Sequence, residues 1–210
     1  MLILASASPR RQELLRNAGI TFTVQPADIN ETPLVGESPQ DCAERLARQK
    51  ALAVFQSHPQ VDVLGADTIV VIDGAILGKP RDAGDAARML RLLSGRTHAV
   101  STGVCLVGPA ASSQLPIARK TESKPITGNR PAATAFERTA SATTLVTMCE
   151  FCENDIRDYI ATGEPMDKAG AYAIQGVASR WIPRIDGDYS NVVGLPVAMV
   201  YAMLRERAVV

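Results

Sequence analysis

The sequence predicts an α/β fold, a mixed sheet with helices flanking it. Three observations carry that expectation. Short apolar runs such as 2–5 and 69–72 are interspersed with longer stretches of helical periodicity such as 39–56 and 82–93. Asp73-Gly74 joins two apolar runs directly, a turn signal for an antiparallel pair. The strands and helices follow no regular βαβ count, so a purely parallel sheet fits less well. At 210 residues, 46% of them hydrophobic, the chain is long enough to bury a sizeable core.

Residues 2–5 read as a buried strand. Residues 9–18 read as a helix with Pro9 at its first turn and Gly19 at its end. Phe22 and Val24 mark a second short strand ahead of the acidic turn Asp28-Ile29-Asn30-Glu31. Pro39 opens a helix over 39–56, on which Ala43, Leu46, Ala47, Lys50, Ala51 and Val54 share a face. Val63 and Leu64 lead into a small-residue link, Gly65-Ala66-Asp67-Thr68, with a strand at 69–72 and its return at 75–77. A helix over 82–93 turns Ala86, Met89, Leu90 and Leu93 to the core, and a strand runs from His98 to Leu106. Residues 107–141, rich in Pro, Ala, Ser and Thr, read as a long hairpin excursion or a partly mobile insertion. A strand at 142–148, a helix at 153–162, a polar segment with glycines at 165–177, a strand at 181–186, a loop at 187–195 and a helix at 196–207 complete a single domain over 1–210.

Basic and acidic side chains balance at 22 each. Zero net charge argues against broad nucleic-acid binding and leaves room for a small basic pocket. No apolar run reaches the roughly 18 residues of a membrane span, and the first residues lack a charged leader. The expectation is a cytoplasmic protein with neither nucleic acid nor membrane as partner. Cys149 and Cys152 form a CxxC pair without the second pair a zinc site needs, and with the acidic Glu150 and Glu153 beside them the pair reads as incidental. His58 and His98, the only histidines, do not make a metal centre or a serine triad.

The chemistry-bearing residues sit at loop edges. Ser6, Ala7 and Ser8 let a ligand approach the backbone, and Arg10 and Arg11 follow Pro9 where free N–H groups already favour an anion. Two arginines at a helix N-terminus run against the local field, which points to an anion such as phosphate. The alternative is a plain N-cap with solvated arginines. Asp67 lies between apolar segments, where a core would avoid a carboxylate. It reads as a metal ligand or water-orienting base, or as a turn aspartate capping local amides. Lys50 interrupts an apolar stripe, and composition alone favours a lysine snorkelling at the core edge. Lys79, in Gly78-Lys79-Pro80, follows the hairpin that begins just beyond Asp67, and Asp167-Lys168-Ala169-Gly170 has the same character. With Glu31 these residues suit phosphate-ester or anhydride hydrolysis: carboxylates hold a divalent metal and water, and cations neutralise phosphoryl oxygens. Walker A, GxGxxG and GxSxG motifs are absent.

In these residues the chain resembles the Maf family of nucleoside triphosphate pyrophosphatases. The likeness covers nearly the whole length: SASPRR at 6–11, ADINE at 27–31, the helix carrying Lys50, GADTIV at 65–70, GKP at 78–80, SGRTH at 94–98, GEPMDKAGAYAIQG at 163–176 and GDYSNVVGLP at 187–196. The resemblance implies a long twisted mixed sheet with two lobes around a cleft, similar to the inosine triphosphate pyrophosphatase fold. It implies hydrolysis of the α–β anhydride with a divalent metal (Mg, Mn or Co), by water attack at the α-phosphorus with pyrophosphate leaving. Asp67 would activate the water, with Glu31 its companion at the metal. Lys50 and Lys79 would line the cleft, Ser6, Arg10 and Arg11 would face phosphate, and Lys168 and Gln175 would complete the pocket. Because an ordinary aspartate, of pKa about 4, is a weak base, metal activation supplies much of the nucleophile.

Arg10, Thr68 and Gln175 match the SPRR, GADT and IQG pattern of family members acting on dTTP and UTP. The 7-methyl-GTP group instead resembles a pattern with a tryptophan before the arginine and a GSDQ segment. Arg10 thereby marks the pyrimidine pattern and Arg11 is the more general phosphate partner. The resemblance also implies a homodimer, and leaves open modified nucleotides as substrates and a binding-only regulator of cell division and septum formation. The stretch 107–141 departs from the family's simple hairpin. Its Arg119, Lys120 and Lys124 are either solvated surface or approach the triphosphate.

Overall fold

The computed structural model describes residues 1–110 and 136–210. Seven strands form one mixed sheet: β1 (Leu2–Leu4), β2 (Thr23–Val24), β3 (Asp62–Ile72), β4 (Ala75–Leu77), β5 (Thr97–Gly108), β6 (Phe136–Thr147) and β7 (Arg184–Asp186). Their order is β2-β1-β3-β5-β6-β7, with β4 also on β3. The β1–β2 and β1–β3 pairs are parallel and the others antiparallel, which is the mixed sheet expected. The helices are α1 (Pro9–Asn17), α2 (Pro39–Phe55), α3 (Ala83–Leu93), α4 (Glu153–Ala161), α5 (Tyr189–Val193) and α6 (Val197–Glu206). Each of the first two starts from a serine whose hydroxyl accepts a backbone N–H, Ser8 and Ser38, followed by proline. Among the described residues no helix is long and apolar enough to cross a membrane.

Among the described residues the apolar interior falls into three clusters. At one end of the sheet, Leu2, Leu4, Leu64 and Leu106 pack under α1 and α6, and Ile3, Val63 and Val107 pack under α2. At the other end, Val70, Val100 and Val146 pack with Met89 and Leu90 of α3, Tyr159 of α4 and Trp181.

Four expectations need correction. Residues 65–68 are not a link: β3 is continuous from Asp62 to Ile72, and Val63 to Val71 pair in unbroken register with β5. Gly65 lacks a side chain there because α2 lies against it, the close approach that glycine in a strand often signals, while Ala66 packs in the cluster of Leu4 and Leu106 on the other face. The irregular stretch 107–141 is narrower at both ends, since β5 extends to Gly108 and β6 begins at Phe136. Cross-strand pairing, from Val107↔Glu137 to Gly103↔Ser141, overrides a composition poor in bulky residues. Arg119, Lys120 and Lys124 lie outside the described residues. Trp181 ends a 3-10 turn (Val177–Trp181), so the strand of 181–186 is only β7. The loop 187–195 contains α5, started by the Asp188 side chain accepting from Ser190 N–H.

His98 is buried on β5, with Nε2 2.8 Å from the Tyr172 hydroxyl and no partner for Nδ1 among the described residues. Burial lowers its pKa from 6.5 to about 4, so the folded protein keeps it neutral where the unfolded chain protonates. Between those values the unfolded state binds more protons, and stability falls as pH falls through that window, by on the order of 3 kcal/mol in all. Urea denaturation at pH 7 and pH 4.5 checks this. His98→Gln should lose that part of the pH slope, and an identical slope in the variant would contradict the assignment.

Candidate active site

β1 covers one edge of β3 only as far as Leu64, and β4 takes up the same edge at Val70. Between them, residues 65–69 have no strand neighbour on that side among the described residues. The gap opens into a cleft of about 750 Å³. All ten candidate residues line it: Ser6, Arg10, Arg11, Glu31, Lys50, Asp67, Thr68, Lys79, Lys168 and Gln175. Strand alternation sends Asp67 and Thr68 to opposite faces of the sheet, which gives the cleft two chemically different corners.

The acidic corner depends on how closely α2 lies on the sheet. A Cβ on Gly65 would overlap the Ala47 carbonyl oxygen, and one on Gly103 the Ala43 carbonyl oxygen. Gly103 pairs directly with Asp67. Pressed down at these two glycines, α2 brings the Lys50 ammonium to 2.6 Å from Asp67 Oδ1 and 2.5 Å from Glu31 Oε1. Lys50 and Asp67 are 7% and 8% exposed, so the ammonium is not snorkelling into solvent and Asp67 is not capping a turn. Partial burial would raise the Glu31 carboxyl, but the hydrogen bond and charge of Lys50, with Lys79 and Arg11 beyond, hold it below the usual range. Each carboxylate spends one oxygen on Lys50.

The basic corner centres on Arg11. Its Nε donates to the Gly194 carbonyl at 2.8 Å, Nη1 to Ser6 Oγ at 3.0 Å and Nη2 to Thr68 Oγ1 at 3.0 Å. Thr68 also lies 2.9 Å from Thr102 Oγ1. Burial lowers the Arg11 pKa, against the opposing pull of Asp67 and Glu31. Ser8 does cap α1, at 3.5 Å from Arg11 N, but the arginine beside it is buried instead of solvated. Its three bonds go to neutral oxygens, leaving two of a guanidinium's five donors for an anion.

The far side is a pair of turns. Gly170 N–H donates to the Gly78 carbonyl at 3.1 Å, tying the Lys168 segment to the Lys79 turn. Lys168 Nζ donates to the Glu164 carbonyl and to Asp167 Oδ1, and Asp167 also faces Arg10 at 3.7 Å. Burial opposes ionisation of Asp167, but Lys168 and then Arg10 hold its carboxyl low. Lys79 makes no side-chain hydrogen bond or ion pair among the described residues, so its charge faces the cleft unspent. Next to Gly170, buried Ala171 takes φ +59°, a left-handed conformation that costs a non-glycine residue about 1–2 kcal/mol.

Several participants were not singled out in the sequence. The Gly194 carbonyl and Thr102 organise Arg11 and Thr68, and Tyr172 walls the cleft. Nothing local marks them, because each acts through partners distant in the chain. Asp167 was visible only as a neighbour of Lys168. Cys149 and Cys152 are free and exposed and do not line the cleft; Cys152 is the N-cap of α4.

A carboxylate–ammonium–carboxylate cluster facing a buried guanidinium across one open cleft defines a phosphate-handling α/β protein. The chain belongs to the Maf family: the family's model, described as Maf-like protein, matches residues 1–207. The chain is 52% identical over 208 residues to a dTTP/UTP pyrophosphatase of Koribacter versatilis (strain Ellin345), covering 99% of this chain and 95% of that one. It is 47% identical over 204 residues to a dTTP/UTP pyrophosphatase of Geobacter sp. (strain M21), covering 97% and 94%. A dTTP/UTP pyrophosphatase of Symbiobacterium thermophilum is also 47% identical, over 98% of this chain and 93% of its own.

Proposed function

We propose that the cleft hydrolyses the α–β anhydride of dTTP and UTP, releasing the nucleoside monophosphate and pyrophosphate. The observation that carries this is Lys50 clamped between Asp67 and Glu31 in the cleft that also holds Arg11, Ser6 and Thr68. The relatives, each named as a dTTP/UTP pyrophosphatase, support the choice of substrates. CTP and modified pyrimidine nucleotides belong to the same proposal.

The residues divide the work. Arg11, held by Ser6, Thr68 and Gly194, offers its two spare donors to phosphoryl oxygens, and Arg10, Lys79 and Lys168 add positive charge around them. Lys50 holds Asp67 and Glu31 close together at fixed spacing. Asp67 orients the attacking water and takes its proton. Gln175 can donate and accept, which suits the O and N–H edge of a pyrimidine.

The donor set fits a divalent cation. Asp67 and Glu31 are hard oxygen ligands, and Mg is commonly bound through one or two carboxylates with substrate phosphates completing its shell. When bound, the cation would neutralise phosphoryl charge and acidify water.

The homodimer and the cytoplasmic location stand as parts of the same proposal, the first open to sedimentation velocity. A binding-only regulator of cell division finds no use for the clamped carboxylates. A panel of canonical and modified nucleoside triphosphates with Mg, Mn or Co tests the reading. Metal-dependent pyrophosphate release with dTTP and UTP leading is expected; tight binding without release would overturn it.

A further inference from the structure

The segment that carries Gln175 is held at both ends by one pair of side chains. Tyr159, on α4, is fully buried. Its hydroxyl donates to Glu164 Oε1 at 2.7 Å and accepts the Ala173 N–H at 3.2 Å. The other oxygen of that carboxylate, Oε2, accepts the Val177 N–H at 3.2 Å. Between these anchors Gly176 N–H donates to the Ala173 carbonyl at 3.1 Å, closing the turn with Gln175 exposed on it. Gly176 itself lies so close to the Glu164 carboxylate that a Cβ there would overlap it. Ala173 and Gln175 line the cleft; Tyr159 and Glu164 do not.

We propose that Tyr159 and Glu164 form a brace that positions the Ala173–Val177 turn, so that this pair sets which nucleobase the cleft accepts without touching the substrate. The proposal deepens the pyrimidine reading above and rests on it.

The chemistry of the brace is specific. A carboxylate can accept on both oxygens at once, from the tyrosine hydroxyl and from a backbone amide. An amide in its place offers one acceptor and one donor. Glu164→Gln therefore leaves either the Tyr159 hydroxyl proton, in a part-buried bond, or the Val177 N–H, on the exposed side, without its carboxylate partner, and an unmet donor is costly where it is buried. Tyr159→Phe keeps the ring and its edge-on contact with Trp181 while removing the hydroxyl that joins Ala173 to Glu164. Neither change touches Lys50, Asp67, Glu31 or Arg11.

The test uses the full chain, read by steady-state kinetics, tripolyphosphate inhibition, amide hydrogen exchange and a thermal melt. In Tyr159→Phe and Glu164→Gln, KM for dTTP should rise about tenfold with kcat held within about twofold. The preference for dTTP over dGTP in kcat/KM should fall by about tenfold, because the Gln175 amide that suits the pyrimidine edge is no longer held in place. Inhibition by inorganic tripolyphosphate, which reports the phosphate corner alone, should stay within about twofold. Amide hydrogen exchange should speed up at Ala173 and Val177 and stay unchanged in β3 and β5. A lower melting temperature with base preference intact would reduce the brace to a structural role and overturn the proposal, as would unchanged exchange at both amides. The exchange readout needs no turnover, so it judges the brace even if wild-type protein fails to hydrolyse dTTP, a result that would sink the functional reading separately.

Discussion

Asp67→Asn should lower turnover of dTTP and UTP by about 10³-fold, within the range a positioned general base supplies, while leaving the fold intact. Asparagine keeps the shape of the side chain and an oxygen that can still accept from Lys50, now 2.6 Å from Asp67 Oδ1. What it loses is the negative charge that takes a proton from water and helps to hold a cation. Losing one partner of a buried ion pair costs about 3–5 kcal/mol when the other is stranded. Lys50 is not stranded here, because Glu31 remains 2.5 Å away, so the loss of stability should be smaller. Steady-state pyrophosphate release and a thermal melt together check this. Activity within tenfold of wild type would remove Asp67 from the chemistry.

Gly103→Ala should damage stability and activity together. Its new methyl group would overlap the Ala43 carbonyl and crowd the Glu44 backbone nitrogen, so α2 must lift from the sheet or β5 must bend. Overpacking of this kind typically costs about 1–3 kcal/mol, and a collision with backbone belongs at the top of that range. For a chain of this size, about 3 kcal/mol corresponds to a melting temperature lower by roughly 10 °C. Because Gly103 pairs with Asp67 and α2 carries Lys50, lifting the helix also separates the ammonium from the carboxylate. Calorimetry and pyrophosphate release read the two effects. A variant with an unchanged melt and unchanged turnover would show that close approach of α2 does not build the acidic corner.

The elements with strong local signals were legible in the sequence. Pro39 and the face running from Ala43 to Val54 located α2, and Asp73-Gly74 located the β3–β4 hairpin, with both residues at positive φ. The pairing partners of β3 were not legible. Gly65-Ala66 looks like a break because it offers little side chain to pack, while in the fold the bare Gly65 admits α2 and Ala66 packs on the other face. The glycine that misled the strand assignment is also what allows Lys50 to reach Asp67. β6 was read short because its first half, from Phe136 to Ser141, gains its order from β5 instead of from its own composition.

The candidate site was legible as a set of residue types at loop edges, and the structure brings all ten into one cleft. Their connections were not legible. Arg11 looked like a free phosphate partner, yet three of its donors are spent on Ser6, Thr68 and Gly194, the last of them 183 residues away. Lys50 looked like a core-edge lysine because the carboxylates that justify its burial come from a strand and a loop elsewhere in the chain. Tyr159 gave no signal at all and Glu164 only its place in GEPMDKAGAYAIQG, since a brace is defined by the backbone amides it holds and not by spacing.

In the proposed reaction, water held at Asp67 attacks the α-phosphorus and expels pyrophosphate. Running the dTTP reaction in oxygen-18 water and weighing both products by mass spectrometry shows where the water oxygen goes. One labelled oxygen is expected in the thymidine monophosphate, with the pyrophosphate unlabelled. Label in the pyrophosphate, or release of orthophosphate as the first product, would rule out attack at the α-phosphorus.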